Sequence, residues 1–448
     1  MTLLASWRFR KSLVTRLQAN PKPKIENPKS TVWANSNFVK LWTAQIISAF
    51  GSIITRTAFP LTAVLVLNAD PQQMGLLAAV GSLPVLVFGL LAGVWVDRLR
   101  RRPVMVAADL GRAALVGTVP LAYLLGWLRM EHLYIVAFLA GTLTVFFDVA
   151  DQSFLPSVVN RQHIVAANSN LAASGSIAEI AAPGVAGILV QLVTAPVAIL
   201  IDAISFLFSA LFIGFINTPE TKPKVESPGV LTSEVGLWTN MTEGLRLVMG
   251  NPVLRSLAYT AGTLDFFGGC FVVYELFAIR ELNMTPALVG LLVGAGGIGA
   301  LAGAMLAGRV VRRFGLGPTM VSTAALAGGL QIFVPVAGGP IAVAALMMFA
   351  AQILGDMARS IYFINEVSLR QAIVPDRLLG RANASMQFLV GGVGLAGMLL
   401  GGFLAQAIGM RPTLLIGVTG MTLASLWIYF SPVRSLREQP GAMQDVRR

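Results

Sequence analysis

Apolar residues run through this chain in long blocks, and polar residues collect in short breaks between them. A helix needs about 20 mostly apolar residues to cross the hydrocarbon core of a bilayer. Twelve segments meet that length: 38–67, 74–96, 103–127, 133–156, 164–190 and 194–216, then 253–280, 287–311, 317–337, 340–366, 380–408 and 411–431. The pattern predicts an all-α polytopic membrane protein with twelve transmembrane helices.

Composition agrees. Of 448 residues only 12% are charged, against 55% hydrophobic, where soluble domains carry roughly twice that charged fraction. A soluble enzyme is excluded on that ground. Cys270 is the single cysteine, and His132 and His163 are the only histidines. No disulfide framework or metal site can be built from them, and neither metal nor cofactor is expected.

The net charge of +12 raises the question of nucleic acid, but the basic residues punctuate apolar runs, which is a membrane pattern. With the N-terminus placed in the cytoplasm, 27 of the 33 Lys and Arg fall on the inner side, including Arg98, Arg100, Arg101 and Arg102 in one loop and Arg309, Arg312 and Arg313 in another. Arg129, Arg280 and Arg411 fall outside, and Arg56, Arg112 and Arg359 lie within spans. Positive-inside sorting therefore puts both termini in the cytoplasm and the protein in the cell membrane. Residues 1–36 lack the apolar stretch of a cleavable signal. Leu3, Leu4, Trp7, Leu13, Val14 and Leu17 share a helical face opposite Arg8, Lys11 and Arg16. That suits either a helix on the inner leaflet or a disordered basic tail.

The strongest pattern is self-similarity at an offset of 215 residues. Pro71, Gly75, Leu76, Leu77 and Gly81 recur as Pro286, Gly290, Leu291, Leu292 and Gly296. Gly93 and Pro103 recur as Gly308 and Pro318, and Ala167-Asn168 as Ala382-Asn383. The chain thus divides into an N-terminal six-helix half, 37–216, and a homologous C-terminal half, 252–431. A cytoplasmic linker, 217–251, joins them, and 432–448 is a cytoplasmic tail. The linker opens on Pro219, Pro223 and Pro228, then sets Leu237, Trp238, Met241, Leu245 and Val248 on one helical face. That helix rests on the membrane or the bundle, as a passive connector or as a clamp between halves. Two repeated halves suit an alternating-access carrier. No pore loop marks a channel, and no Gly-x-x-x-x-Gly-Lys-Ser/Thr loop marks an ATP-driven pump.

Gly93-Val-Trp-Val-Asp97-Arg98-Leu-Arg-Arg101-Arg102-Pro103 resembles the signature between helices two and three of the major facilitator superfamily, with Arg100 at its variable glycine. The second copy, Gly308 to Gly315, keeps the glycine and bases but not the acid. Leu41-Trp42 with Gln45, Phe50-Gly51-Ser52, and Phe146-Phe147-Asp148 leading to Leu155-Pro156-Ser157 resemble the macrolide-efflux and enterobactin-exporter branch. That branch usually has Pro-Ala-Arg after the Asp, where this chain has Val149-Ala150-Asp151. Ala182-Pro183-Gly184-Val185-Ala186-Gly187 resembles the Gly-Pro-x-x-Gly-Gly antiporter motif of helix five, carried here by Pro183, Gly184 and Gly187, with alanine at two of its glycine positions. The resemblance implies the major facilitator fold and a monomeric secondary transporter. It would export a drug, macrolide-like compound or siderophore by alternating access, in exchange for protons. Its partners would be that small molecule, the coupling proton and the lipid bilayer, with no nucleic acid. Gly93, Asp97, Arg98, Arg101 and Arg102 would form the gating motif.

Ionisable groups inside spans are costly and so mark function. Arg56, Glu179, Asp265 and Asp356 fall near mid-membrane, Asp109 and Asp148 in the inner half, and Asp202 somewhat outside the centre. In the superfamily, helices one, four, seven and ten line the cavity. Here those helices carry Arg56, Asp148, Asp265, and Asp356 with Arg359. Asp109/Arg112 and Asp356/Arg359 are i,i+3 neighbours able to neutralise each other. Glu179 has no basic residue three or four positions away, so it is expected either to carry the coupling proton or to bond a neighbouring helix. An ion-independent facilitator or importer, and a non-transporting scaffold or sensor of the same fold, stay open as alternatives.

Overall fold

The computed structural model describes residues 32–96, 98–218 and 234–438. Asp97 and the amphipathic face proposed for residues 3–17 lie outside them. Twelve helices are long and apolar enough to cross a membrane. The first six are α1 (Ser36–Leu65), α2 (Pro71–Val96), α3 (Arg101–Leu124), α4 (Met130–Val158), α5 (Ile164–Val193) and α6 (Ala195–Gly214). The second six are α7 (Pro252–Arg280), α8 (Pro286–Phe314), α9 (Leu316–Phe333), α10 (Ile341–Ile373), α11 (Asp376–Ile408) and α12 (Met410–Tyr429).

Polar signals in the breaks start and stop these helices. The Asn35 side chain accepts hydrogen bonds from the Asn37 and Phe38 amides, and Asn251 does the same for Val253 and Leu254. Each satisfies two of the N–H groups that a helix start leaves open. Gly409 turns the chain between α11 and α12 at φ +94°, and Thr194 turns it between α5 and α6 at φ +87°. Their numbers differ by 215, the repeat offset. The loop after α2 breaks the symmetry: Arg100 has φ −73°, while Gly315, its counterpart, has φ +85°. α7 is not continuous. A 3₁₀ segment, Gly269–Val273, interrupts it, as in the broken helices of many carriers.

The buried apolar residues locate the packing between halves. Call the end that carries Arg98–Arg102 and Arg309–Arg313 the basic end. At the opposite end one continuous core draws on both halves, from Phe59, Leu77, Val136 and Ile199 to Phe277, Val289, Leu292 and Met348. Toward the basic end the core splits. Phe38, Met105, Phe147, Phe154 and Ile213 form a cluster within the first half, and Leu254, Met320, Tyr362, Met386 and Ile428 form another within the second.

Glycine lets the halves touch at the joined end. α5 packs on α8 and α2 on α11. A methyl group added at Gly187 would lie 2.9 Å from the Gly290 Cα, and one at Gly75 2.9 Å from the Gly402 Cα. Real side chains do not come so close, so only glycine permits these helix approaches. The Gln191 side chain accepts from the Ala287 amide across the same seam, at 3.4 Å. The two glycine contacts are copies of each other: 290 minus 75 and 402 minus 187 both give 215. The linker helix, Glu234–Gly250, packs on α11 and α7. Gly244 meets the Arg381 and Ser385 turn of α11, and Glu243 pairs with Arg381. This is the bundle-resting position, on the second half.

Candidate functional site

Between the halves lies a cavity with two lobes. The larger, about 690 Å³, is lined by Arg56, Arg112, Asp148, Asp202, Phe206 and Glu275 among apolar residues. The smaller, about 590 Å³, is lined by Asp265, Arg359, Gln387, Phe388 and Met398. The lobes share Gly81, Ser82 and Val85 on α2 and Gly268 and Val272 on α7. Arg56, which lines the large lobe, and its neighbour Glu179 have side chains 64% and 53% exposed. Since the opposite end is packed shut, this space opens toward the basic end.

Two cross-helix ion pairs stand in it. Arg56 on α1 donates to Glu179 on α5 at 2.6 Å. Arg359 on α10 pairs with Asp265 on α7 at 3.9 Å. The first is one of the two outcomes expected for Glu179, a bond to a neighbouring helix, and the second differs from the pairing expected along a single helix. Glu179 has its partner 123 positions earlier in the chain, in the open cavity. Arg359 reaches across to α7 instead of pairing with Asp356 on its own helix. Asp356 turns toward α8, where Gly296 leaves room for its carboxylate, and it lines neither lobe.

Asp109 and Arg112 do pair along α3, fully buried. The Arg112 guanidinium lies between the Phe147 and Phe206 rings, 4.3 Å from each centroid. Asp148 on α4 is exposed in the large lobe. Asp151 accepts a hydrogen bond from Gln45, and Trp42 donates to Ser174 at 3.2 Å. The two α1 motif residues thus tie that helix to α4 and α5. The chain's departure at Asp151 is matched by a specific partner.

Of the gating motif, Arg98 is exposed, Gly93 is partly buried and Asp97 falls outside the described residues. Arg102 donates to the carbonyls of Ile213 and Gly214 at the end of α6. Arg101 also has an interaction partner. Pro183, Gly184 and Gly187 do not face the cavity; they are the α5 side of the seam with α8, where Gly184 faces Leu291.

Sequence reasoning passed over Glu275 and Glu366. Glu275 follows the break in α7 and roofs the large lobe. A lone acid in an apolar run was the signal available, the same one that singled out Glu179. Glu366 is buried and pairs with Arg370 at 3.2 Å; the i,i+4 spacing was legible. Among the described residues no group of three or more His, Cys, Asp or Glu could hold a metal ion.

Comparison with known proteins is consistent with this geometry. A family described as "Transmembrane secretion effector" matches residues 30–445. The multidrug efflux pump Tap of Mycolicibacterium fortuitum is 29% identical over 400 residues, covering 87% of this chain and 94% of Tap. The uncharacterized MFS-type transporter YfiS of Bacillus subtilis is 26% identical over 402 residues, covering 88% of this chain and 91% of YfiS. The crystal structure of a bacterial homologue of the iron transporter ferroportin, in an inward-facing state, aligns with a TM-score of 0.70 at 17% identity. The match covers 91% of this chain and all of that one.

Proposed function

Because the chain belongs to the transmembrane secretion effector family of the major facilitator superfamily, we propose that it exports a small hydrophobic or amphipathic molecule by alternating access, driven by proton exchange. It is a multi-pass transporter and not an enzyme. In this reading the basic end faces the cytoplasm, as positive-inside sorting requires, and the structure is the inward-open state. The exporter acts as a monomer in the cell membrane.

One observation carries the reading: a single core joins both halves at one end, while separate cores hold each half at the other. A carrier rocking about a central site needs that arrangement, and its mirror image, in turn. Cargo would enter the lobes from the cytoplasm, pack its apolar body on Phe206, Phe388 and Met398, and meet the charges of Arg56, Glu179, Asp265 and Arg359. Separating Gly187 from Gly290 and Gly75 from Gly402 would open the outer path. Asp97 and Arg98 would then latch the cytoplasmic side, the role implied by their motif.

The test is efflux of ethidium and of a ferric siderophore from cells expressing the protein, with and without a protonophore. Export that stops when the proton gradient collapses supports the reading. Export that continues unchanged removes proton exchange, and accumulation inside the cells reverses the direction.

A further inference from the structure

We infer that the coupling proton is held by the buried carboxyls Asp109 and Asp202 around Arg112, where α3 meets α6, and not by Glu179 in the open cavity. The inference rests on the proton-exchange reading and names the groups that perform it.

The argument begins with charge balance. Asp109, Arg112 and Asp202 are 0%, 3% and 1% exposed. Arg112 donates to Asp109 and, at 3.4 Å, to Thr144. Its guanidinium cannot swing away, because the Phe147 and Phe206 rings hold both faces by cation–π contact. Asp202 accepts from the Ser205 hydroxyl at 3.0 Å. Among the described residues it has no ion pair, although Arg112 acts on it electrostatically at longer range. Two carboxyls therefore share one fixed cation, all three buried in the wall of the large lobe. With both ionised, one negative charge stays uncompensated, and a buried uncompensated charge costs several kcal/mol. One bound proton closes the count.

A second observation points to the same ligand. Asp109 Oδ2 and the Ser209 hydroxyl are both buried and face each other, without a hydrogen bond of good geometry between them. A carboxyl oxygen and a hydroxyl in that state are places where an added proton gains a partner.

Five other acids fit less well. Glu179, Asp265 and Glu366 each have an arginine of their own. Asp151 is held by Gln45, and Asp148 is exposed to cavity water. The charged groups around Asp202 are Asp109 and Arg112 on α3 and, in the lobe it lines, Arg56 on α1, itself paired with Glu179. Asp148 and Glu275 join them across the lobe.

Access to the proton follows from α1. Gly51 lies over Asp202, and a methyl group added there would fall 2.6 Å from Oδ1. A shift of α1 against α6 within the first half, added to the rocking of the halves, uncovers Asp202 to cavity water. Its O–H bond then breaks toward a water molecule, leaving a carboxylate that Arg112 steadies. Water on the other side returns the proton after the halves have rocked, and the O–H bond forms again.

Infrared spectroscopy of the purified protein in lipid needs no substrate. At neutral pH the wild type is expected to show the carbonyl band of a protonated carboxylic acid, and Asp202→Asn to lose it or shift it onto Asp109. Glu179→Gln should leave the band in place. If Asp202→Asn does not accumulate in the membrane, Gly51→Ala, which crowds the same carboxyl, should move the band. In cells, Asp202→Asn should lower gradient-driven ethidium efflux at least tenfold, while Glu179→Gln slows efflux but keeps its protonophore sensitivity. An unchanged band in Asp202→Asn and Gly51→Ala overturns the assignment. So does protonophore-sensitive efflux in Asp202→Asn at the wild-type rate. Wild-type efflux that ignores the protonophore instead overturns the proton-exchange reading itself.

Discussion

Gly187 on α5 and Gly290 on α8 touch through their backbones, with no side chain between these two residues. Gly187→Val and Gly290→Val should each force the seam apart, since a branched side chain has no space there. The expected outcome is at least a tenfold loss of dye export, with normal insertion. Distance measurements by spin labels at the two helix ends should show the sealed end widened. Export at the wild-type rate from either variant would mean that the seam is not part of the cycle.

The Arg56–Glu179 pair is exposed to water, so its worth to stability is small, and its effect belongs to transport. Arg56→Glu and Glu179→Arg should each cut export several-fold by placing like charges side by side. Combined, they restore the pair in reverse and should recover more than half of the wild-type rate. Efflux assays on the two single variants and the double variant decide it.

Thr194 sits at φ +87°, ψ 155°, a region almost reserved for glycine, and such strain costs on the order of 1–3 kcal/mol. Its repeat counterpart is Gly409, at φ +94°. Thr194→Gly should therefore stabilise the protein by about 1 kcal/mol, less the added freedom of the unfolded chain. A thermal-stability measurement in detergent should show a higher midpoint, and a lower one would show that the Thr194 side chain contributes more than its backbone costs.

The basic loop after α2 separates two roles. Asp97→Asn removes the latch charge and should lower export at least tenfold at normal membrane levels. Arg102→Ala removes two hydrogen bonds to the open carbonyls at the end of α6, where net values of about 1.5–3 kcal/mol apply to bonds from charged donors. It should reduce folded protein more than rate per molecule. Immunoblots beside efflux measurements distinguish the two.

The helices were legible because hydrocarbon demands them. Each of the twelve apolar blocks corresponds to a helix, and the edges differ where helices run on into water. Segment 340–366 continues as Ile341–Ile373, carried past its apolar part by the Glu366–Arg370 pair. Segment 317–337 stops earlier, at Phe333. Charged residues could be found in the same way, since each interrupts an apolar run. Their partners could not. Arg56 meets Glu179, and Asp265 meets Arg359, by helix packing between distant segments, which periodicity along one helix does not encode. The glycine seam was half visible: Gly75 and Gly290 appeared as repeats, and Gly187 as part of a motif. Applying the same offset to Gly187 leads to Gly402, its counterpart on α11.

The repeat that copies the glycine seam does not copy the charges. At the positions 215 residues beyond Arg56 and Glu179 stand Phe271 and Gly394, and the second half's own pair joins Asp265 on α7, the counterpart of α1, to Arg359 on α10, the counterpart of α4 and not of α5. The offset of 215 thus repeats the glycine contacts but not the charges of the cavity walls. A cargo molecule inside meets two unlike faces, and turning it end over end exchanges every charge contact. If the frame rocks as proposed, such a chamber holds its contents in one orientation throughout.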